Sequence, residues 1–211
     1  MPNATEPPVV LASASPRRRE LLTRVGVRFE VVPSSVEERW LAGEAPRALA
    51  LRLAREKALD VARRFPASPR RLVLGADTIV ILEDAVLGKP ADSEEAVKML
   101  RRLVGRTHRV LTAVAVVETD RLEPRSVCVE STVVMRAAAE AELRAYVATG
   151  EPLDKAGAYA AQGEGRRFVE RIDGSETNVI GLPIEETLAL LRAAETERQK
   201  SPAAGPPETF P

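Results

Sequence analysis

The chain has 211 residues, with 31 lysines and arginines balanced by 31 aspartates and glutamates, so its formal net charge is zero. That balance argues against a general nucleic-acid binder, which needs a basic excess to neutralise phosphates, and 3% aromatics leave little for a single-strand stacking platform. Cys128 is the only cysteine and His108 the only histidine, which rules out an internal disulfide and any His- or Cys-rich zinc site within one chain.

Any metal must therefore be held by oxygens, which points to Mg²⁺ or Mn²⁺. There is no apolar run of about 18 residues and no charged-then-apolar leader. A cytoplasmic protein with no membrane partner is expected. The length suits one domain with a substantial core, assigned to residues 9–194. Residues 1–8 are expected to be flexible, and the Pro-rich stretch 195–211 to be a disordered tail.

In chain order, Val9 to Ala12 reads as a strand that enters a helix beginning near Pro16. Ser15 is an N-cap candidate there, and Pro16 suits the first helical position. Phe29 to Val32 is a second strand. Ala48 to Arg63 is helical, with Leu49, Leu53, Ala54, Ala58 and Val61 at three- and four-residue spacing. Leu72 to Leu82 is β-like but interrupted by Gly75-Ala76-Asp77. Ser93 to Val104 is a helix capped by Asp92 or Ser93. Val110 to Val117 and Val127 to Met135 are neighbouring strands rich in β-branched residues. Glu140 to Ala148 is a helix stopped by Gly150 and Pro152, Phe168 to Ile172 a strand, and Pro183 to about Ala194 the last helix. Interspersed strands and helices make the fold α/β, and the adjacent strands at 110–117 and 127–135 imply a mixed sheet.

Four places could carry chemistry. In Ser13-Ala14-Ser15-Pro16-Arg17-Arg18-Arg19, three arginines sit at the positive end of a helix dipole, where an anion would relieve them; solvation is the competing explanation. Asp77 interrupts an apolar strand and would cost several kcal/mol if unpaired, so it needs a metal, a cation or a catalytic task, unless it only caps a turn. Thr78 beside it presents a hydroxyl to the opposite face. Lysine is scarce, with five among 31 basic residues. Of these, Lys57, Lys89 and Lys155 stand in distinctive settings, whereas Lys98 and Lys200 read as plain surface residues. Glu37-Glu38, after a Pro-Ser-Ser turn, could supply a metal carboxylate. His108 opens a β-like run with no nucleophile in sight and reads as a structural or edge histidine.

Taken together, SASPRRRELL, the acids at 37–38, LAREKA, LGADTIV, LGKP, GEPLDKAGAYAAQG and GSETNVIGLP resemble, in order and spacing, the Maf family of nucleoside triphosphate pyrophosphatases, from about Leu11 to Leu191. The resemblance implies a mixed twisted sheet flanked by helices, two lobes with a nucleotide cleft between them, as in inosine-triphosphatase-like folds. It also implies hydrolysis of a nucleoside triphosphate to monophosphate and pyrophosphate with a divalent cation, and a homodimer. By the same resemblance Asp77 is the proton acceptor and, with Glu38, a metal ligand. Ser13, Arg17, Arg18, Lys57 and Lys89 bind phosphate, and Arg17, Thr78 and Gln162 mark the branch acting on dTTP and UTP. Two departures stand out: Glu176 follows Ser175 where an aromatic is usual, and Ala160-Ala161 precede Gln162. A non-catalytic nucleotide-binding regulator of cell division is the alternative reading; retention of Asp77, Glu38, Lys57 and Lys89 counts against it.

Overall fold

A computed structural model describes residues 7–200. Strands β1 (Val9–Leu11), β2 (Phe29–Val31), β3 (Leu72–Leu82), β4 (Ala85–Leu87), β5 (Thr107–Glu118), β6 (Arg125–Met135) and β7 (Val169–Asp173) form one mixed seven-stranded sheet. Its order is β2-β1-β3-β5-β6-β7, with β4 also paired to β3. The pairs β1–β2 and β1–β3 are parallel and the rest antiparallel. The helices are α1 (Pro16–Arg24), α2 (Pro46–Ala62), α3 (Ser93–Leu103), α4 (Glu140–Val147), α5 (Glu176–Ile180) and α6 (Ile184–Lys200).

The alternation of side chains along the strands divides the core into two layers. Val73, Ile79 and Ile81 of β3 join Leu111, Ala113, Ala115 and Val117 of β5 beneath Leu49, Leu53, Ala54, Ala58 and Val61 of α2. On the other face Leu74, Ala76, Val80 and Leu82 pack with residues from α1, α3, α4 and α6.

The expected interruption of β3 does not occur: the strand is continuous through Gly75, Ala76 and Asp77. Gly75 is there because α2 crosses at that point. A Cβ on it would lie 2.3 Å from the Ala54 carbonyl oxygen and 2.7 Å from the Ala58 nitrogen, both backbone atoms that cannot step aside. Gly75→Ala is therefore expected to cost about 1–3 kcal/mol, the usual range for overpacking, read as a lowered urea midpoint with an unchanged m-value.

Several other details differ from expectation. The last helix runs through Lys200, so residues 195–200 are helical and are not part of a disordered tail; Glu197 of this stretch is hydrogen-bonded by Arg125 Nη1 at 2.7 Å. The remaining tail, 201–211, and residues 1–6 of the expected flexible N-terminus lie outside the described residues. β4, α5 and a series of 3-10 turns over 151–154, 156–158 and 163–168 were not anticipated. Asp92 is the cap of α3, accepting from the Glu95 N–H at 2.8 Å, whereas Ser15 stands at the cap position of α1 without a side-chain cap bond.

Candidate active site

The sheet leaves a gap where the chemistry gathers. On the edge of β3 away from β5, β1 pairs with Val73 and Leu74 and β4 with Val80 to Leu82. Among the described strands, none pairs with residues 75–79 on that side. A cavity of about 370 Å³ opens beside this stretch, bounded by the end of β1, the start of α1, residues 33–38, Lys57, Lys89, residues 154–156, Tyr159 and residues 179–181. That size is in the range of small-molecule sites. Five basic side chains (Arg17, Arg18, Lys57, Lys89 and Lys155) line it against three acids, Glu38, Asp77 and Asp154. The cavity is built to receive an anion.

At its centre Lys57 reaches from α2 to Asp77, with Nζ 2.6 Å from Oδ1, and to Glu38 Oε1 at 2.5 Å. Lys89 donates to the other oxygen of Glu38 at 3.1 Å. Lys57 and Asp77 are buried, whereas Glu38 is 43% exposed at its side chain. Burial pushes the Asp77 pKa above the ordinary carboxylate value despite the opposing pull of Lys57 and Arg18. For Glu38 burial is also the largest single influence, but Lys57 and Lys89 together outweigh it and bring the pKa down to about 2. Two neighbouring carboxylates thus differ in proton affinity, the arrangement that lets one act as a base while the other stays ionised.

The two adjacent arginines take different parts. Arg18 is buried, and four of its five N–H donors are used: Nε on the Gly181 carbonyl at 2.8 Å, Nη1 on Ser13 Oγ at 3.0 Å and the Ala76 carbonyl at 2.9 Å, and Nη2 on Thr78 Oγ1 at 3.2 Å. It fills the gap on β3 by satisfying the Ala76 carbonyl, and it ties α1, β3 and the residue after α5 together. A phosphate would find one donor left on it. Arg17, half-buried on the cavity wall, makes no hydrogen bond or ion pair among the described residues, and burial lowers its pKa against the attraction of Asp154, Tyr146 and Glu151. Such a cation is stabilised by an incoming anion. Arg19 is exposed.

The other expected site residues are distributed as follows. Ser13 and Thr78 line the cavity, Ser13 accepting from Arg18 and Thr78 sharing a 3.0 Å hydroxyl contact with Thr112. Gln162 is half-buried ahead of the 163–168 turn and is not among the lining residues; neither is Glu176. Lys155, which also lines the cavity, donates to the Glu151 carbonyl at 2.6 Å and pairs with Asp154. Among the described residues no group of three or more His, Cys, Asp or Glu side chains could hold a metal ion. Glu38 and Asp77 nonetheless fit Mg²⁺ chemistry, since that ion is commonly bound by one or two carboxylates together with substrate phosphates.

His108 lies inside β5, not at an edge, buried with Nε2 2.8 Å from the Tyr159 hydroxyl. Burial lowers its pKa to about 4. The folded state therefore refuses a proton that the unfolded chain accepts below about 6.5, so stability is retained above pH 6.5 and lost as pH falls from there to 4. Relative to His108→Gln, the wild type is expected to lose about 2 kcal/mol of unfolding free energy between pH 7 and pH 5, measured by urea denaturation at both values.

An open α/β sheet with a cation-lined cavity at an unpaired strand segment, and a buried lysine bridging two carboxylates in it, defines a protein that binds and can act on an anionic small molecule. The chain belongs to the Maf family: residues 8–194 match the family described as Maf-like protein. It is 51% identical over 196 residues to a dTTP/UTP pyrophosphatase of Anaeromyxobacter dehalogenans, covering 89% of this chain and 94% of that one. Proteins of the same name from Geobacter sulfurreducens (50% over 184 residues, 87% and 95% covered) and Burkholderia pseudomallei (51% over 200 residues, 89% and 94% covered) are similarly close. No helix among the described residues is long and apolar enough to cross a membrane.

Proposed function

We propose that this chain hydrolyses dTTP and UTP to the nucleoside monophosphate and pyrophosphate, clearing such nucleotides from the pool. The observation that carries the reading is the Lys57 bridge, which sets a buried carboxylate of raised pKa and a second of lowered pKa at the same end of a cationic cavity. The names of the relatives at about half identity point to the same reaction and the same bases.

In this reading Arg17 and Lys89, the cavity cations with the most free donors, hold the phosphate oxygens, while Arg18 and Ser13 chiefly hold the wall in shape. Asp77 orients a water against the α-phosphorus and takes its proton, and pyrophosphate leaves. Glu38 and Asp77 are the carboxylates that would hold Mg²⁺ or Mn²⁺ together with the substrate, and the cation supplies charge neutralisation of the triphosphate. Positioning and electrostatics then account for most of the rate. For base choice, Arg17 and Thr78 face the cavity, and Gln162 would act from the neighbouring turn.

The test is direct. The purified protein is incubated with Mg²⁺ or Mn²⁺ and each nucleoside triphosphate, and monophosphate, pyrophosphate and orthophosphate are quantified separately. Monophosphate with pyrophosphate, fastest for dTTP and UTP, is expected. Orthophosphate as the first product would reject attack at the α-phosphorus, and a purine preference would reject the assignment of bases.

A further inference from the structure

The segment that delivers Glu38 has no regular secondary structure between β2 and α2, yet Glu38 has to sit on Lys57 to within a hydrogen bond. What fixes it is one face of α2. At the far end of the helix, Asp60 accepts from Ser34 Oγ at 2.8 Å and the Ser35 N–H at 2.9 Å, and Arg64 donates to the Pro33 carbonyl at 3.0 Å. At the near end, the Arg52 guanidinium grips Glu44 in a two-point fork, Nε to Oε1 and Nη2 to Oε2, both at 2.7 Å. The same Nη2 donates to the Arg39 carbonyl at 2.8 Å, and Nη1 rests on Glu56 at 3.1 Å. The segment therefore runs antiparallel along the helix, and Glu38 is suspended over Lys57 between two anchors.

We infer that Arg52 is a positioning residue for the reaction: by clamping Arg39 and Glu44 it holds Glu38 where Lys57, Lys89 and the substrate require it. The inference rests on the proposed role of Glu38. Arg52 is the closer anchor in sequence, because the carbonyl it holds belongs to the residue directly after Glu38. Its donors are directed to protein acceptors, so it has no part in binding the nucleotide itself. The fork also explains arginine at this position, since a lysine ammonium cannot span a carboxylate and a carbonyl with the same planar geometry. Misplacement of a reacting group by about 1 Å costs up to about 100-fold in rate, so release of this anchor is expected to lower turnover by about 10- to 100-fold.

The protein contains its own probe of the clamp. Trp40 is the only tryptophan, it lies in the clamped segment, and its indole N–H donates to the Glu44 carbonyl at 2.9 Å. In Arg52→Ala, acrylamide quenching of Trp40 is expected to rise and turnover to fall by at least about tenfold, both measured at a temperature where thermal unfolding shows the variant fully folded. Glu44→Ala, which removes the carboxylate half of the clamp and leaves the Arg39 carbonyl bond of Arg52, is expected to move both quantities in the same direction by a smaller amount.

The decisive comparison adds each substitution to Glu38→Gln. If the clamp acts through Glu38, the double variants turn over no more slowly than Glu38→Gln alone, because groups acting as a unit are not additive. A further tenfold fall in the double variants, or raised quenching with wild-type turnover in the single ones, would overturn the inference while leaving Glu38 in its role. Wild-type turnover in Glu38→Gln would remove the role of Glu38 itself, and the inference with it.

Discussion

Asp77→Asn is expected to lower turnover of the preferred nucleotide by at least about 100-fold, the lower end of what a positioned general base contributes, while nucleotide affinity changes little. The substitution keeps the shape of the side chain and an oxygen for Lys57 to donate to, and Lys57 still has Glu38 at 2.5 Å to balance its charge. Neither a cavity nor an orphaned cation results, so folding is expected to survive. What disappears is the proton acceptor. Single-turnover rates and calorimetric binding of a non-hydrolysable triphosphate measure the two quantities separately. Near-normal turnover would exclude Asp77 as the base, and loss of binding in parallel with loss of rate would assign it to holding substrate instead. The pH dependence gives a second check. As the base, Asp77 must be without its proton to act, so the wild-type rate falls at the acid end of the profile, and that limb is absent from the residual activity of the variant.

The sequence carried most of the elements because their signals are local. The spacing of Leu49, Leu53, Ala54, Ala58 and Val61 gave α2, and the cap candidates Asp92 and Ser93 gave the start of α3, where Asp92 is the residue that caps. What could not be read locally was which groups meet. Lys57 and Asp77 are 20 residues apart, and their contact exists because α2 lies on β3 at Gly75, a close approach that no periodicity reports. Gly75 therefore looked like an interruption of the strand when it is the reason the helix can approach. β4 and α5 span three and five residues, too few for a repeating pattern.

Arg17 and Arg18 show a signal that was present but unused. Arg18 precedes both Leu21 and Leu22, by three and four residues, so it sits in the middle of the buried face of α1, whereas Arg17 is spaced to Leu21 alone and lies at the margin of that face. That spacing separates the arginine that builds the wall from the one left free to bind. In α6 the apolar pattern fades after Ala194, yet helix-favouring residues and the bond from Arg125 to Glu197 carry the helix on to Lys200. An end placed by apolar periodicity alone falls short there.

Lys57→Met should damage the protein more than any single change at the cavity mouth. Lys57 and Asp77 are 7% and 5% exposed, so removal of the ammonium leaves a buried carboxylate without its hydrogen-bonded cation and with only the longer-range attraction of Arg18. Breaking one side of a buried pair costs about 3–5 kcal/mol while the remaining charge persists. Asp77 escapes part of that cost by taking up a proton, which moves its folded-state pKa further above the unfolded value. The folded variant then binds more protons than the unfolded chain between those two values, so its stability falls as pH rises through that window. The deficit relative to wild type is accordingly small near pH 4 and largest at neutral pH and above. Urea denaturation at pH 4, 6 and 8 reads this directly. Adding Asp77→Asn to Lys57→Met removes the stranded charge, so the double variant is expected to be more stable at pH 8 than Lys57→Met alone, and still inactive. If the double variant instead loses the sum of the two single effects, the role of Lys57 is packing and not charge, and the carboxylate bridge at the centre of the site would not be what sets Asp77 as the base.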